Sequence, residues 1–362
     1  MWFPPFLSAN MQPDPILKKN NNFDFVRVAA AFAVLYSHQF ALSGQPEPTL
    51  LGGSWGGWGV LVFFAISGYL VAGSWERDPH LWRFGVRRFL RLWPGLVVSV
   101  LLLVFVLGPM VTALELRAYL SAAPTWKFLQ VLTLASFDSY LPGVFAGNPM
   151  PNSANGSLWT IPVEVRCYAV LALLGLLRVL RWRWVFSLVF AAFVGWFFFW
   201  WGTGYDHPLR MPMQMGVAFG VGVFLSAWRQ LWLPRRLWVV PVVGAGFLAL
   251  WHGGFYELAG TMGLATGAVF VGIGSTPVLR RFGRFGDISY GLYIYAFPVQ
   301  QTVVWLGDNR LPVLHGLWIA TAVTVVLAWL SWHFVEKPAL RWKDRLVPRS
   351  SRALFPAASS PG

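Results

Sequence analysis

The stretch DFVRVAAAFAVLYSHQFAL, residues 24 to 42, is apolar over a length close to that of a membrane span, yet it contains an arginine and a histidine, Arg27 and His38. They stand eleven residues apart. That is close to a whole number of helical turns, so both project from one face, about 16 Å apart along the axis. Ionisable groups within a span are costly and by default mark a functional path. The stretch therefore predicts a transmembrane helix with chemistry on one side of it.

Composition extends this to the whole chain. Of 362 residues 56% are hydrophobic and 12% charged, and there are 22 tryptophans. Soluble domains carry roughly 25% charged residues. The expected fold is all-α, a polytopic transmembrane helical bundle with tryptophan anchors at its interfaces. A net charge of +14 in a soluble protein suggests nucleic acid, but here the basic residues cluster between apolar segments, so no nucleic-acid partner is expected. The single cysteine, Cys167, excludes an internal disulfide or a cysteine-rich metal site. No metal-ligand spacing, nucleophile elbow or phosphate-binding glycine loop occurs.

Spans are expected at about residues 24–42, 56–75, 89–111, 158–178, 184–201, 209–227, 237–252, 255–274, 286–306 and 313–333. With the N-terminus in the cytoplasm, 22 of the 28 basic residues fall in the terminal segments and connections expected inside. This is the positive-inside pattern and places both termini in the cytoplasm. Residues 1–20, with Lys18 and Lys19 and no small-residue cleavage site after a clean apolar core, read as a cytoplasmic N-terminal segment. Residues 21–345 form the transmembrane domain and 346–362 a disordered tail. The only long connection, about 112–157, lies on the outer side, where such length usually serves a site. A short helix over 126–137 is expected within it.

Depth sorts the polar residues. Arg27 lies near the cytoplasmic end of the first span and His38 within about 6 Å of its outer end; Glu164 sits about 9 Å into the fourth span, near the level of His38. A carboxylate there can fix the imidazole tautomer and raise its basicity, as a general base for a hydroxyl nucleophile requires. Alternatively His38 bonds backbone and Glu164 neutralises Arg166. At the other surface Arg88 and Arg91, in RRFLRLWP, share a helix face at the depth of Arg27. Three guanidinium groups at one mouth suit a phosphorylated ligand, or serve topology alone. Ser67 and Gly68 in FFAISGYL favour close helix packing, with Ser67 able to line a cavity. The segment GDISYGLYIYAFPVQQ gives the ninth span a polar stripe that includes Tyr293, and Pro298 should kink it. Glu336 and Lys337 read as a helix end. His80, His207, His252 and His315 read as surface residues.

These motifs, with SLWTIPVE and HFVEKP, stand in the order found in the acyltransferase-3 family of integral membrane acyltransferases, which the chain resembles over about residues 20–345. The resemblance implies an acyl-CoA donor, acetyl-CoA first among them, bound from the cytoplasm, and a carbohydrate or glycolipid acceptor modified on the outer side of the bacterial inner membrane. It implies His38 as the essential histidine, Arg27 as its partner, Arg88 and Arg91 as the donor-side pair, and Glu164 as the acidic residue after the LW segment. Arg166, Ser67 and Tyr293 are candidates for contacting substrate and stabilising an oxyanion. Family members commonly carry a histidine before the Phe-Pro step of the ninth span; here Ala296 stands there, so that histidine is not required. A transporter or flippase of a lipid-linked sugar is the competing expectation.

Overall fold

The computed structural model describes residues 21–202 and 208–346. The expected N-terminal segment, the tail beyond Leu346 and His207 lie outside the described residues. Ten helices of 17 residues or more run through the rest: α1 Phe23–Leu42, α2 Trp55–Arg77, α3 Leu81–Leu102, α4 Thr160–Leu176, α5 Arg183–Gly202, α6 Arg210–Ala227, α7 Arg236–His252, α8 Tyr256–Ile273, α9 Ser289–Leu306 and α10 Val313–Ser331. Among the described residues, six helical segments are long and apolar enough to cross a membrane: those holding α1, α2, α3, α4, α8 and α10. The chain is a multi-pass membrane protein with an all-helical bundle. Helix α9 is not among the six because its tyrosines, glutamines and proline, the polar stripe read from sequence, make it less apolar; Tyr295, Gln300 and Gln301 of that stripe are buried in the bundle.

Helix α3 starts at Leu81, eight residues before the expected boundary. Its first turns carry Arg83, Arg87 and Arg88, which resemble a loop in a hydropathy window. His80 accepts a hydrogen bond from the Arg83 amide at 3.5 Å and so caps the helix start. Beyond Leu102 the helix continues through a π-turn, Leu103–Leu107, to Val111.

Helices α2 and α6 cross with their backbones almost touching. A Cβ on Gly68 would lie 2.0 Å from the Phe219 carbonyl oxygen, and one on Gly222 would lie 2.0 Å from that of Ala65. With no hydrophobic drive between helices in lipid, such close van der Waals contact between small residues is what holds spans together.

The connection between α3 and α4 is folded against the bundle. It contains the helices Leu116–Ser121 and Ala123–Lys127 and a 3-10 turn Phe128–Thr133, in place of one continuous helix over 126–137. Tyr119, Phe128, Leu141 and Phe145 are fully buried in it. Each such side chain contributes roughly 1.5–3 kcal/mol by leaving water. Two devices pin it to α9. Asn148 donates to the side-chain and backbone oxygens of Gln301 at 2.8 and 2.9 Å, and Gln301 donates to the carbonyls of Met150 and Ser153. Pro298 has no N–H for the carbonyl of Ile294. Asn155 Nδ2 supplies the missing donor at 2.8 Å, with Ser99 Oγ at 3.4 Å.

Candidate active site

Helices α1 and α9 run parallel. At one end Arg27 meets Asp287, just before α9; at the other Gln300 donates to the Leu35 carbonyl at 2.7 Å and to Gln39 at 3.0 Å. Between α1, α2, α3, α4 and α9 lies a cavity of about 750 Å³, counted with its open mouth. Arg27, Arg88, Arg91, Ser67, Glu164, Tyr168, Tyr290 and Tyr293 line it, so it gathers most of the candidates scattered over the sequence.

Arg91 is held on three sides. Its guanidinium donates to Asp287 Oδ2 at 2.7 Å and to Glu336 Oε2 at 3.2 Å and lies over the Tyr290 ring, 5.5 Å from its centre. Arg27 approaches the same Asp287 oxygen at 3.4 Å and Asp24 at 3.9 Å. Burial pushes the Asp287 carboxyl up, but Arg91 and Arg27, helped by the Ser289 hydroxyl at 2.7 Å, outweigh it and hold the group below the usual carboxylate range. Glu336 corrects its reading as a simple helix end: it is 1% exposed and turned inward. A π-turn over Trp332–Glu336 follows α10, and across it Ser331 Oγ, at the end of α10, donates to Glu336 Oε1 at 3.0 Å. Extra-residue turns of this kind recur at functional sites.

Arg88 is different. It stacks over Tyr168 at 5.9 Å, and its Nε–H is buried with no hydrogen-bond partner among the described residues. The nearby Glu164 already accepts from Ser67 Oγ at 3.0 Å and from the Tyr168 hydroxyl, while Ser67 and Tyr168 lie 2.9 Å apart.

His38 and Glu164 share no hydrogen bond, which corrects the expected dyad. The cause is where α4 begins. Asn155 binds Ile294 inside the bundle and the Ser157 carbonyl accepts from Tyr293 at 2.9 Å, so the turn Gly156–Trp159 and the start of α4 are drawn inward. Glu164 then reaches the level of Arg88 and Tyr168. His38 stands farther along α1. Its ring meets Phe297 edge-on at 5.5 Å, its Nδ1 is buried without a partner among the described residues, and the carboxylate whose charge reaches it is Glu47. Glu47 is anchored to the neighbouring Ser37 at 2.5 Å. It sits in the loop after α1, where sequence depth assigns no partner.

The three oxyanion candidates fare unequally. Arg166 is exposed and donates to the Ala135 carbonyl at 3.3 Å on the outer connection, away from the cavity. Ser67 lines the cavity but is engaged with Glu164. Tyr293 lines it too, its hydroxyl 2.7 Å from Thr160 Oγ1. Phe297 follows Tyr293 by one turn on α9, so the cavity ends about 6 Å short of the level of His38. Tyr290 belongs to the polar stripe expected for the ninth span, whereas Asp287, Glu336 and Tyr168 were the members that sequence reasoning missed. Their signal is an acid or phenol inside a motif next to an apolar run, in GDISY, FVEKP and VEVRCY. A second cavity, of about 1100 Å³, opens beside the hairpin of Leu50 to Gly53 and is bounded by Trp58, Gln214 and the ion pair of Arg210 with Glu257.

Comparison with known proteins shows the family. A family profile described as an acyltransferase domain matches residues 20–333. The chain is 33% identical to the O-acetyl transferase of Shigella phage Sf6 over 354 residues, which cover 92% of this chain and 99% of that protein. It is 30% identical to Nodulation protein 10 of Rhizobium leguminosarum bv. viciae over 370 residues, covering 91% and 95% respectively. No solved structure gives a significant match. With the six sequence motifs on this helical frame and the family match running over nearly its whole length, the chain belongs to the acyltransferase-3 family and is an acyltransferase.

Proposed function

We propose that the protein moves an acetyl group from cytoplasmic acetyl-CoA to a hydroxyl of a carbohydrate, a surface polysaccharide or lipid-linked sugar, on the outer face of the bacterial inner membrane. The observation that carries this reading is the cavity that begins among Arg27, Arg88 and Arg91 and runs inside the bundle to Thr160 and Tyr293, one helical turn below Phe297 and His38. The likeness to a phage O-acetyl transferase supports acetyl as the group and oxygen as its acceptor. The donor enters at the arginine end and its thioester reaches toward the His38 end, where the acceptor hydroxyl arrives.

His38 takes the hydroxyl proton as the oxygen attacks the thioester carbonyl. The carbon–sulfur bond breaks, the acetyl group passes to oxygen, and the proton on the imidazole is released to the departing thiolate. A positioned base of this kind contributes roughly 10²–10⁴-fold. Glu47 is the carboxylate placed to steady His38. Glu164, with Ser67 and Tyr168, shapes the donor channel.

Purified protein in lipid nanodiscs, given labelled acetyl-CoA and a surface-glycan acceptor, should yield acetylated acceptor. His38→Ala should reduce product at least 10²-fold while still binding the donor. Full product from that variant removes His38 from the chemistry, and sugar translocation without acetylation favours the transporter reading.

A further inference from the structure

Charge balance inside the arginine cavity restricts which part of a donor can lie there. Arg91 is satisfied by Asp287 and Glu336, and Arg27 by Asp287 and Asp24. With Glu164 beside Arg88, three guanidinium groups face four carboxylates. A phosphate entering this space meets no excess positive charge, and it must displace a buried carboxylate from Arg91 to gain a bidentate contact. Phosphate recognition needs unpaired, accessible guanidinium groups. A buried donor without an acceptor is costly to leave unmet, and the cavity has one in Arg88 Nε–H.

Unspent positive charge lies just outside. The 3-10 segment Leu279–Phe285 packs on the first turn of α1, with Phe282 against Phe25 at 5.7 Å and Gly283 tight against Asp24. It carries Arg280, whose guanidinium reaches the Ser275 hydroxyl at 3.5 Å, and the exposed Arg281; neither has a carboxylate partner among the described residues.

We infer that the cavity takes the uncharged, amide-bearing arm of the thioester donor, with Arg88 Nε–H donating to a carbonyl of that arm. The donor phosphates remain outside, on Arg280 and Arg281. This rests on the donor reading given above and changes the task of Arg27 and Arg91: with Asp287 they brace the rim of the cavity mouth through which the arm enters, and they do not grip phosphate.

Two fragments separate the halves of the donor: acetyl-pantetheine and adenosine 3′,5′-bisphosphate, each competed against labelled CoA on the full chain in nanodiscs. Arg88→Gln should weaken acetyl-pantetheine about tenfold, the worth of one charge-assisted hydrogen bond, and leave the nucleotide within about twofold. Arg88→Lys, which keeps the charge and lacks the Nε–H, should behave like Arg88→Gln and guards against a folding defect. Arg280→Gln with Arg281→Gln should weaken the nucleotide in a salt-dependent way and spare acetyl-pantetheine. The inference is overturned if Arg88→Gln weakens the nucleotide as much as acetyl-pantetheine, or if acetyl-pantetheine fails to displace CoA from the wild type. Absence of any CoA binding to the wild type overturns the donor reading itself and this inference with it.

Discussion

Arg91 Nη2 lies 2.7 Å from Asp287 Oδ2, and the same carboxylate oxygen faces Arg27 Nη1 at 3.4 Å. One acid in a short connection thus ties α3 to α1 at the entrance of α9. The tie braces the mouth of the cavity that points toward His38, so the site and the bundle are stabilised by the same three residues.

Asp287→Asn should lower the melting temperature, read by tryptophan fluorescence, and the deficit should depend on pH. The folded Asp287 carboxyl is held below its ordinary range by Arg91 and Arg27. Its contribution is present above the pKa of the unfolded group, about 4, and is lost as pH falls through the lower folded value. The gap between wild type and variant should be widest near neutrality and close in acid. A gap that widens as pH falls contradicts the ion-pair account.

Glu336→Ala leaves Arg91 with one carboxylate in a buried setting and removes one charge-assisted hydrogen bond, which should cost about 1.5–3 kcal/mol. Replacing the pair together, Arg91→Met with Glu336→Leu, should recover much of that stability without recovering transfer. A double variant no more stable than Glu336→Ala shows that the cost is packing and not charge.

Asn155→Ala strips the donor from the Ile294 carbonyl and should destabilise by about 1–3 kcal/mol. Pro298→Ala restores a helical N–H to that carbonyl, so the loss should shrink in its background. Equal losses in both backgrounds, measured as a double-mutant cycle, break the link between Pro298 and Asn155.

Gly68→Ala drives a methyl group into the Phe219 carbonyl and should destabilise by about 1–3 kcal/mol, with loss of folded protein on size exclusion. Ser67→Ala, one residue away, should keep the fold, since its hydroxyl serves Glu164 and Tyr168 and not the helix crossing.

Much of the frame was legible in the residues. Ten apolar stretches became ten long helices, the longest of the expected connections took the position between α3 and α4, and Arg88 and Arg91 share a face of α3 because helical spacing fixes which side chains lie together, at the depth where Arg27 of α1 joins them in the cavity. Helix α3 began early because an amphipathic first turn and a basic loop have the same composition. Glu336 looked like a helix terminus because a π-turn, which turns it inward, leaves no mark in hydropathy.

The sequence by itself determined the helices, the faces that carry charge and the separation of Arg27 from His38 along one axis, since these follow from residue type and a fixed rise per residue. Tertiary structure decided who partners whom. Glu164 serves Ser67, Tyr168 and the Arg88 end because α4 is drawn into the bundle by Asn155 and Tyr293, and the carboxylate whose charge reaches His38 is Glu47, held on the neighbouring Ser37. Depth estimated from a span boundary carries an error of a helical turn, and one turn is enough to exchange one carboxylate for another.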